Sequence, residues 1–120
     1  MTDALPAPVG PYSPIVRAGE WLVVSGQLGV VGGELVAGGT RGEAVQALAN
    51  LRSLLESAGA SMAHVVKTTV FLRHMSDFDT MNDVYLAAFG DHRPARSAVA
   101  VAELPRGALF EIEAWARVAE

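Results

Sequence analysis

The spacing of apolar residues changes character along this chain, and that change limits the folds the chain can adopt. Short segments near both ends are rich in β-branched residues or alternate apolar with polar side chains, as strands do. Two central segments instead repeat apolar residues every three or four positions, which is the pattern of an amphipathic helix. The period therefore predicts strands, a helix, a strand, a second helix and two closing strands.

The two predicted helices have recognisable ends. The first covers residues 41–58 and stops at the following glycine, a residue that commonly ends helices. The second carries an apolar stripe over residues 78–89 and stops at Gly90. Ser76 followed by Asp79 resembles an N-terminal capping box, with Asp in the place of the usual Glu.

The predicted strands are short and begin with two hairpins, one turning at Gly19 and one at Gly32-Gly33. They cover residues 15–17, 21–24, 30–31, 34–36, 65–73, 96–101 and 108–118. This order predicts an α+β fold in which one mixed β-sheet carries two helices packed on one face. Residues 1–120 are few enough to form a single domain.

Side chains alternate across a strand, so the parity of a position assigns it to one side of the sheet. We call the side under the helices the core face and the other side the open face. The core face is predicted to hold Phe110, Ile112, Ala114, Ala116 and Val118; Ser97, Val99 and Val101; and Val66, Thr68, Val70 and Leu72. The open face is predicted to hold Glu111, Glu113, Trp115 and Arg117; Arg96, Ala98 and Ala100; and Lys67, Thr69, Phe71 and Arg73. Because this open face mixes charges with aromatic groups, we expect another subunit to cover it.

Charge and composition argue against several kinds of site and partner. The net charge of −4 is a poor match for nucleic acid. The absence of cysteine excludes disulfides, thiolate nucleophiles and Cys-ligated metals, and the three histidines lack zinc-site spacing, so no metal is expected. The start of the chain lacks the features of a signal peptide, and no apolar run is long enough to cross a bilayer. We therefore expect a cytoplasmic protein with no membrane contact.

Arg96 and Glu111 are the most prominent candidate residues on the predicted open face. On pattern alone, a cross-strand ion pair is the commoner explanation for such a pair. Six segments of the chain, however, stand in the order seen in the Rid (reactive intermediate deaminase, YjgF-like) family, which the chain resembles. They are Gly10-Pro11-Tyr12-Ser13-Pro14, Val24-Ser25-Gly26-Gln27, Val66-Lys67-Thr68-Thr69-Val70-Phe71-Leu72, Met81-Asn82-Asp83-Val84-Tyr85, Pro94-Ala95-Arg96-Ser97 and Glu111-Ile112-Glu113-Ala114.

The resemblance implies a chorismate-mutase-like fold and a homotrimer with active sites in the clefts between subunits. It also implies hydrolysis of reactive 2-imino and 2-enamino acids to 2-oxo acids and ammonia, without a cofactor. Arg96 resembles the family's carboxylate-binding arginine and Glu111 its water-handling glutamate, while Tyr12 and Ser25-Gly26 resemble cleft wall. Ala98 stands where many members have a cysteine near the ligand, which puts substrate preference and rate in question more than the class of reaction.

These residue types suit that chemistry. A planar guanidinium can hold both oxygens of a substrate carboxylate, and a glutamate can orient a water molecule and accept its proton. Two alternatives stay open. One is a non-catalytic module that binds 2-oxo acids or similar small carboxylates. The other is RNA cleavage or a chaperone-like role, and the acidic balance without a basic, aromatic stripe argues against RNA.

Overall fold

The computed structural model of the chain describes Leu5 and residues 7–119. Residues 1–4, 6 and 120 of the predicted domain, including the start inspected for a signal peptide, lie outside the described residues. The strands are β1 (Ile15–Ala18), β2 (Trp21–Leu28), β3 (Val30–Val31), β4 (Glu34–Leu35), β5 (Val65–Leu72), β6 (Ala95–Ala100) and β7 (Phe110–Arg117). The helices are α1 (Gly39–Ser57) and α2 (Phe78–Phe89). Both predicted hairpins are present, and both helices lie close to their predicted ranges.

Five strands form one sheet in the order β1-β2-β7-β5-β6. β5 and β6 run parallel, and every other neighbouring pair in this sheet is antiparallel. β3 and β4 pair separately as a small hairpin. The predicted α+β architecture with one mixed sheet is therefore confirmed, and β6 lies at an edge of that sheet.

The core lies between the sheet and the two helices. Leucines from one side of α1 pack against alternate residues of β7, of which Phe110, Ile112, Ala114 and Ala116 are all fully buried. Alternation in β7 therefore confirms the predicted core face of this strand. The intervening residues of β7 are partly or fully exposed on the open face.

A β-bulge in β5 changes the predicted parity at its start. Val65 pairs with Ala116 and Lys67 with Trp115, so Val66 is an extra residue between two successive pairs. Val65 is buried in the core, whereas Val66 is 45% exposed. The prediction that Val66 faces the core was wrong, while the assignments of Thr68, Val70 and Leu72 to the core face were right.

The predicted faces of β6 were reversed. β6 runs parallel to β5 with Arg96 opposite Thr68 and Ala98 opposite Val70, and both β5 residues belong to the core face. Arg96 and Ala98 therefore point toward α2 instead of the open face. Ser97 instead accepts a hydrogen bond from the open-face residue Lys67, and Val99 is 42% exposed. The valines of an edge strand were mistaken for core residues because an edge strand can leave apolar side chains uncovered.

The start of α2 also differs from the prediction. Ser76 lies inside a short 3₁₀ turn, Met75–Asp77, and α2 begins at Phe78 with no side-chain capping bond. Asp77 instead accepts a hydrogen bond of 2.7 Å from the Thr40 hydroxyl in the first turn of α1. The Asp77 carboxylate thus links the start of α2 to α1 by a hydrogen bond. A capping pattern within one helix cannot predict such a long-range bond.

Candidate active site

Glu111 lines a small cavity at the end of β7 nearest the N-terminal segment. The cavity has a volume of about 190 Å³, and its wall includes Tyr12, Gly26, Val30 and Pro105. Most of these groups are apolar, and the described residues around the cavity contribute one carboxylate, that of Glu111. A carboxylate held against an apolar wall can accept a proton from a small bound molecule.

The surroundings of Glu111 raise the pKa of its carboxyl group above the ordinary value. Partial burial is the larger cause, because it removes water from the charged form. Repulsion from Glu113, which shares the open face of β7, is the second cause. Both effects make Glu111 a stronger base than an exposed glutamate.

A β-bulge in β2 shapes the wall beside Glu111. Val24 pairs with Ala114 and Gln27 with Ile112, so one extra residue is accommodated in the stretch containing Ser25 and Gly26. A Cβ atom added to Gly26 would collide with the Glu111 carboxylate. Gly26 is therefore needed for space and not for an unusual backbone angle.

Ser25 holds the N-terminal segment against this bulge. Its hydroxyl donates a 2.7 Å hydrogen bond to the Ser13 carbonyl, and its backbone N–H donates to the Pro14 carbonyl at 2.9 Å. These bonds fix the segment that carries Tyr12. The Tyr12 hydroxyl accepts a bond from the Val9 N–H at 3.2 Å, and no acceptor among Leu5 and residues 7–119 takes the proton of this hydroxyl.

Arg96 lies on the core face of β6, where its side chain packs against α2. Its Nη1 donates to Asn82 Oδ1 at 2.8 Å and contacts the Met81 sulfur at 3.6 Å. The guanidinium carbon is 4.8 Å from the ring centre of Tyr85 and 5.6 Å from that of Phe78. Within residues 7–119, no carboxylate forms an ion pair with Arg96. A half-buried cation in this state is suited to an anionic ligand.

Ala98 follows Arg96 by two residues and shares its face of β6. It is partly buried and packs against the core cluster. The methyl group leaves the surface near Arg96 smaller and less polar than a cysteine would, so Ala98 can affect which ligands fit there.

Arg96 and Glu111 do not meet within one chain. β5 lies between their strands, and strands are spaced about 5 Å apart, so roughly 10 Å separates β6 from β7 before any offset along the strands. Their side chains also lie on opposite faces of the sheet. The expectation that the two residues share the open face was wrong, and so was the alternative of a cross-strand ion pair between them.

The sequence analysis did not identify the residues of α2 that surround Arg96. Tyr85 lies within the predicted apolar stripe of the second helix and is buried, at 7% exposed, but its ring also contacts the guanidinium. Asn82 was not singled out. The sequence did contain a signal, because Phe78, Met81, Asn82 and Tyr85 follow the i, i+3, i+4, i+7 spacing of residues on one side of a helix.

Comparisons with known proteins place the chain in a family. The profile of the family described as endoribonuclease L-PSP matches residues 2–118. The chain belongs to this family, which is also the YjgF/Rid family. The resemblance inferred from the six sequence segments is thus confirmed.

Individual relatives agree over nearly the whole chain. The mouse protein named 2-iminobutanoate/2-iminopropanoate deaminase is 48% identical, over 96% of this chain and 87% of its own length. A putative endoribonuclease of Thermotoga maritima has a crystal structure with a TM-score of 0.93 and 47% identity, covering 100% of this chain and 96% of that one. RidA of an Antarctic Psychrobacter has a TM-score of 0.93 and 41% identity, covering 98% and 97%.

No helix in the described part of the chain combines the length and apolar character needed to cross a bilayer. Across Leu5 and residues 7–119, no group of three His, Cys, Asp or Glu side chains is arranged to hold a metal ion.

Proposed function

We propose that this chain hydrolyses 2-imino and 2-enamino acids to 2-oxo acids and ammonia. The observation that carries the proposal is the pair of complementary half-sites. One is the half-buried cation of Arg96, which has no carboxylate partner within residues 7–119, and the other is a carboxylate with raised pKa in the Glu111 cavity. Relatives named 2-iminobutanoate/2-iminopropanoate deaminase support it, since they are 44–48% identical over nearly the whole chain.

Each half-site supplies one part of the reaction. The Arg96 guanidinium binds the substrate carboxylate and fixes the adjacent C=N carbon. Glu111 accepts a proton from water as its oxygen bonds to that carbon, giving a carbinolamine. That proton then passes to the nitrogen, which enters the step as the protonated imine. As the C–N bond breaks and ammonia leaves, the carbinolamine hydroxyl gives its proton to Glu111 and its oxygen forms the C=O bond of the 2-oxo acid. An enamine first takes a proton on carbon to become the imine.

We propose that the complete site forms between two subunits of a homotrimer. Arg96 on the edge strand β6 of one subunit would face the Glu111 cavity of the next, with Tyr12, Ser25 and Gly26 as cleft wall. The uncovered open face supports this assembly, since Trp115 is 46% and Val16 is 50% exposed there. Burying a solvent-exposed aromatic group and a solvent-exposed valine under a second copy lowers the free energy of the assembly.

The test is ammonia release from imines generated in situ from a panel of amino acids. We expect turnover of 2-imino acids, little turnover of an imine that lacks the carboxylate, and no loss of activity after exhaustive chelation. Equal turnover of the carboxylate-free imine would contradict the role of Arg96. Activity lost with chelator and restored by zinc would contradict the metal-free assignment.

The same experiment separates the enzyme from a sensor of small carboxylates. A sensor would bind 2-oxo acids through Arg96 but would not raise ammonia release above the uncatalysed rate for any imine in the panel. For RNA, the net charge of −4 remains unfavourable. The proposal treats residues 1–120 as one catalytic domain. We propose the cytoplasm as its compartment, because a chain without cysteine suits a reducing environment.

A further inference from the structure

The guanidinium of Arg96 lies against aromatic rings as well as beside a hydrogen-bond acceptor. The Tyr85 ring centre is 4.8 Å from the guanidinium carbon, and the Phe78 ring centre is 5.6 Å away. Both distances fall within the range in which a ring face attracts a cation. Because Arg96 is half-buried, water screens this attraction less than it would at an exposed site.

The Tyr85 ring is itself held in place. Its hydroxyl shares a buried 2.7 Å hydrogen bond with the hydroxyl of Thr68, which is fully buried in β5. Thr68 is also the residue directly opposite Arg96 across the parallel β5–β6 pair. Burial raises the pKa of the Tyr85 hydroxyl, so the phenol stays neutral at physiological pH.

These contacts leave part of the guanidinium available. Its Nη1 is used by Asn82 and touches Met81. No acceptor within residues 7–119 takes a hydrogen bond from Nε or Nη2 of Arg96. The two remaining donors can bond to both oxygens of a carboxylate at once only when the guanidinium plane is held in one orientation.

We propose that Tyr85, fixed by Thr68, is a positioning residue that orients the Arg96 guanidinium for the substrate carboxylate. The Tyr85 ring stabilises one orientation of the guanidinium plane, so the free donors meet the ligand without first being ordered. This inference rests on the proposed function, in which Arg96 binds the carboxylate. Its effect is on binding, because the carboxylate takes no part in bond making or breaking.

The test changes the electron density of the ring while keeping its size. Tyr85→Phe retains an electron-rich ring and removes the hydroxyl, whereas pentafluorophenylalanine at position 85 withdraws electrons from the ring face. Calorimetry measures the Kd for 2-oxobutanoate, a stable product of the proposed reaction, and kinetics measure KM and kcat with the corresponding imine. Thr68→Val, which keeps the buried volume, removes the hydroxyl that holds the ring.

We expect Tyr85→Phe and Thr68→Val each to raise the Kd measurably, by about two- to threefold, because each removes the hydroxyl pair that fixes the ring. The fluorinated ring should raise both Kd and KM by about tenfold, with kcat nearly unchanged and the melting temperature close to that of Tyr85→Phe. A purely structural role predicts equal Kd values for the two rings, and that result would overturn the inference. If Tyr85→Phe does not fold, a wild-type Kd in Thr68→Val would overturn it instead.

Failure of the underlying function gives a different result. If Arg96→Ala binds 2-oxobutanoate as tightly as wild type, Arg96 does not hold the carboxylate, and the proposed function fails at its first step. If Arg96→Ala loses binding while the fluorinated ring has no effect, the proposed function stands and only the role of Tyr85 is wrong.

Discussion

Glu111 and Glu113 are adjacent on the open face of β7 but have different surroundings. Glu111 lines the cavity beside Gly26, whereas Glu113 pairs across the sheet with Thr69. This difference in position, since the residue type is the same, is the reason we propose Glu111 and not Glu113 for the proton transfer. The two residues also provide matched control variants for each other.

Glu111→Gln should lower kcat for imine hydrolysis by on the order of 10²-fold or more, because the amide cannot accept the proton from water. Glu113→Gln should have a much smaller effect. Ammonia-release kinetics and light scattering on both variants check this. A large loss in Glu113→Gln with normal kcat in Glu111→Gln would move the base to the other carboxylate.

The pH dependence follows from the direction of the Glu111 pKa shift. The base must be ionised, so kcat/KM should fall on acidification with an apparent pKa above that of an ordinary glutamate. Removing the negative charge of Glu113 makes ionisation of Glu111 easier, which lowers its pKa. Glu113→Gln should therefore move the acid limb of the profile to lower pH. An unchanged or higher apparent pKa would contradict the repulsion between the two carboxylates.

Arg96→Lys should nearly abolish hydrolysis, because an ammonium cannot present two parallel donors to the carboxylate. Arg96→Ala should do the same. Since Arg96 packs against the aromatic rings of α2, the alanine variant should also lose about 1 kcal/mol of unfolding free energy. Denaturant unfolding and turnover measured together test both effects. Near-normal turnover in Arg96→Lys would rule out a two-donor carboxylate clamp.

At the level of elements, the contrast between β6 and β7 shows what the sequence could predict. In β7, small apolar residues alternate with two glutamates, a tryptophan and an arginine, so only one side fits under the helices. β6 reads Ala-Arg-Ser-Ala-Val-Ala, with little contrast between its faces. Its orientation depends on the parallel pairing with β5 and on the aromatic pocket of α2. Both are tertiary features, so local parity assigned Arg96 to the wrong face.

The bulge in β2 gives a prediction at the same scale. Gly26→Ala should displace either the Glu111 carboxylate or the bulge, because the new methyl group occupies the carboxylate's position. We expect kcat/KM to fall at least about tenfold, because the displaced Glu111 carboxylate would no longer be positioned to accept the proton from water. Gly10→Ala is a suitable control, since its Cβ would make only ordinary contact with the Tyr12 ring. Equal effects of the two substitutions on turnover would count against a specific clash with Glu111.

At the scale of the whole molecule, the distance between Arg96 and Glu111 is the main constraint on how the proposed site is assembled. Composition and periodicity predicted the sheet, the helices and their order because each element carries its own pattern. They could not show that Arg96 and Glu111 lie on opposite faces, because that depends on strand order and register. The resemblance to the Rid family had implied clefts between subunits, and the separation of the half-sites supplies an independent physical reason for two chains at each site.

Subunit mixing tests this arrangement directly. Arg96→Ala retains Glu111, and Glu111→Gln retains Arg96. Each variant alone should form a trimer of three times the chain mass. Each should be nearly inactive, because every cleft lacks one of the two residues. After the two are unfolded together and refolded at equal amounts, roughly a quarter of the clefts in randomly mixed trimers should combine an intact Arg96 with an intact Glu111. Activity should recover to about that fraction of wild type, while either variant refolded alone should recover none. Mixtures that stay inactive although mass analysis shows mixed trimers would contradict a site shared between two chains, because they would mean that both residues act within one chain.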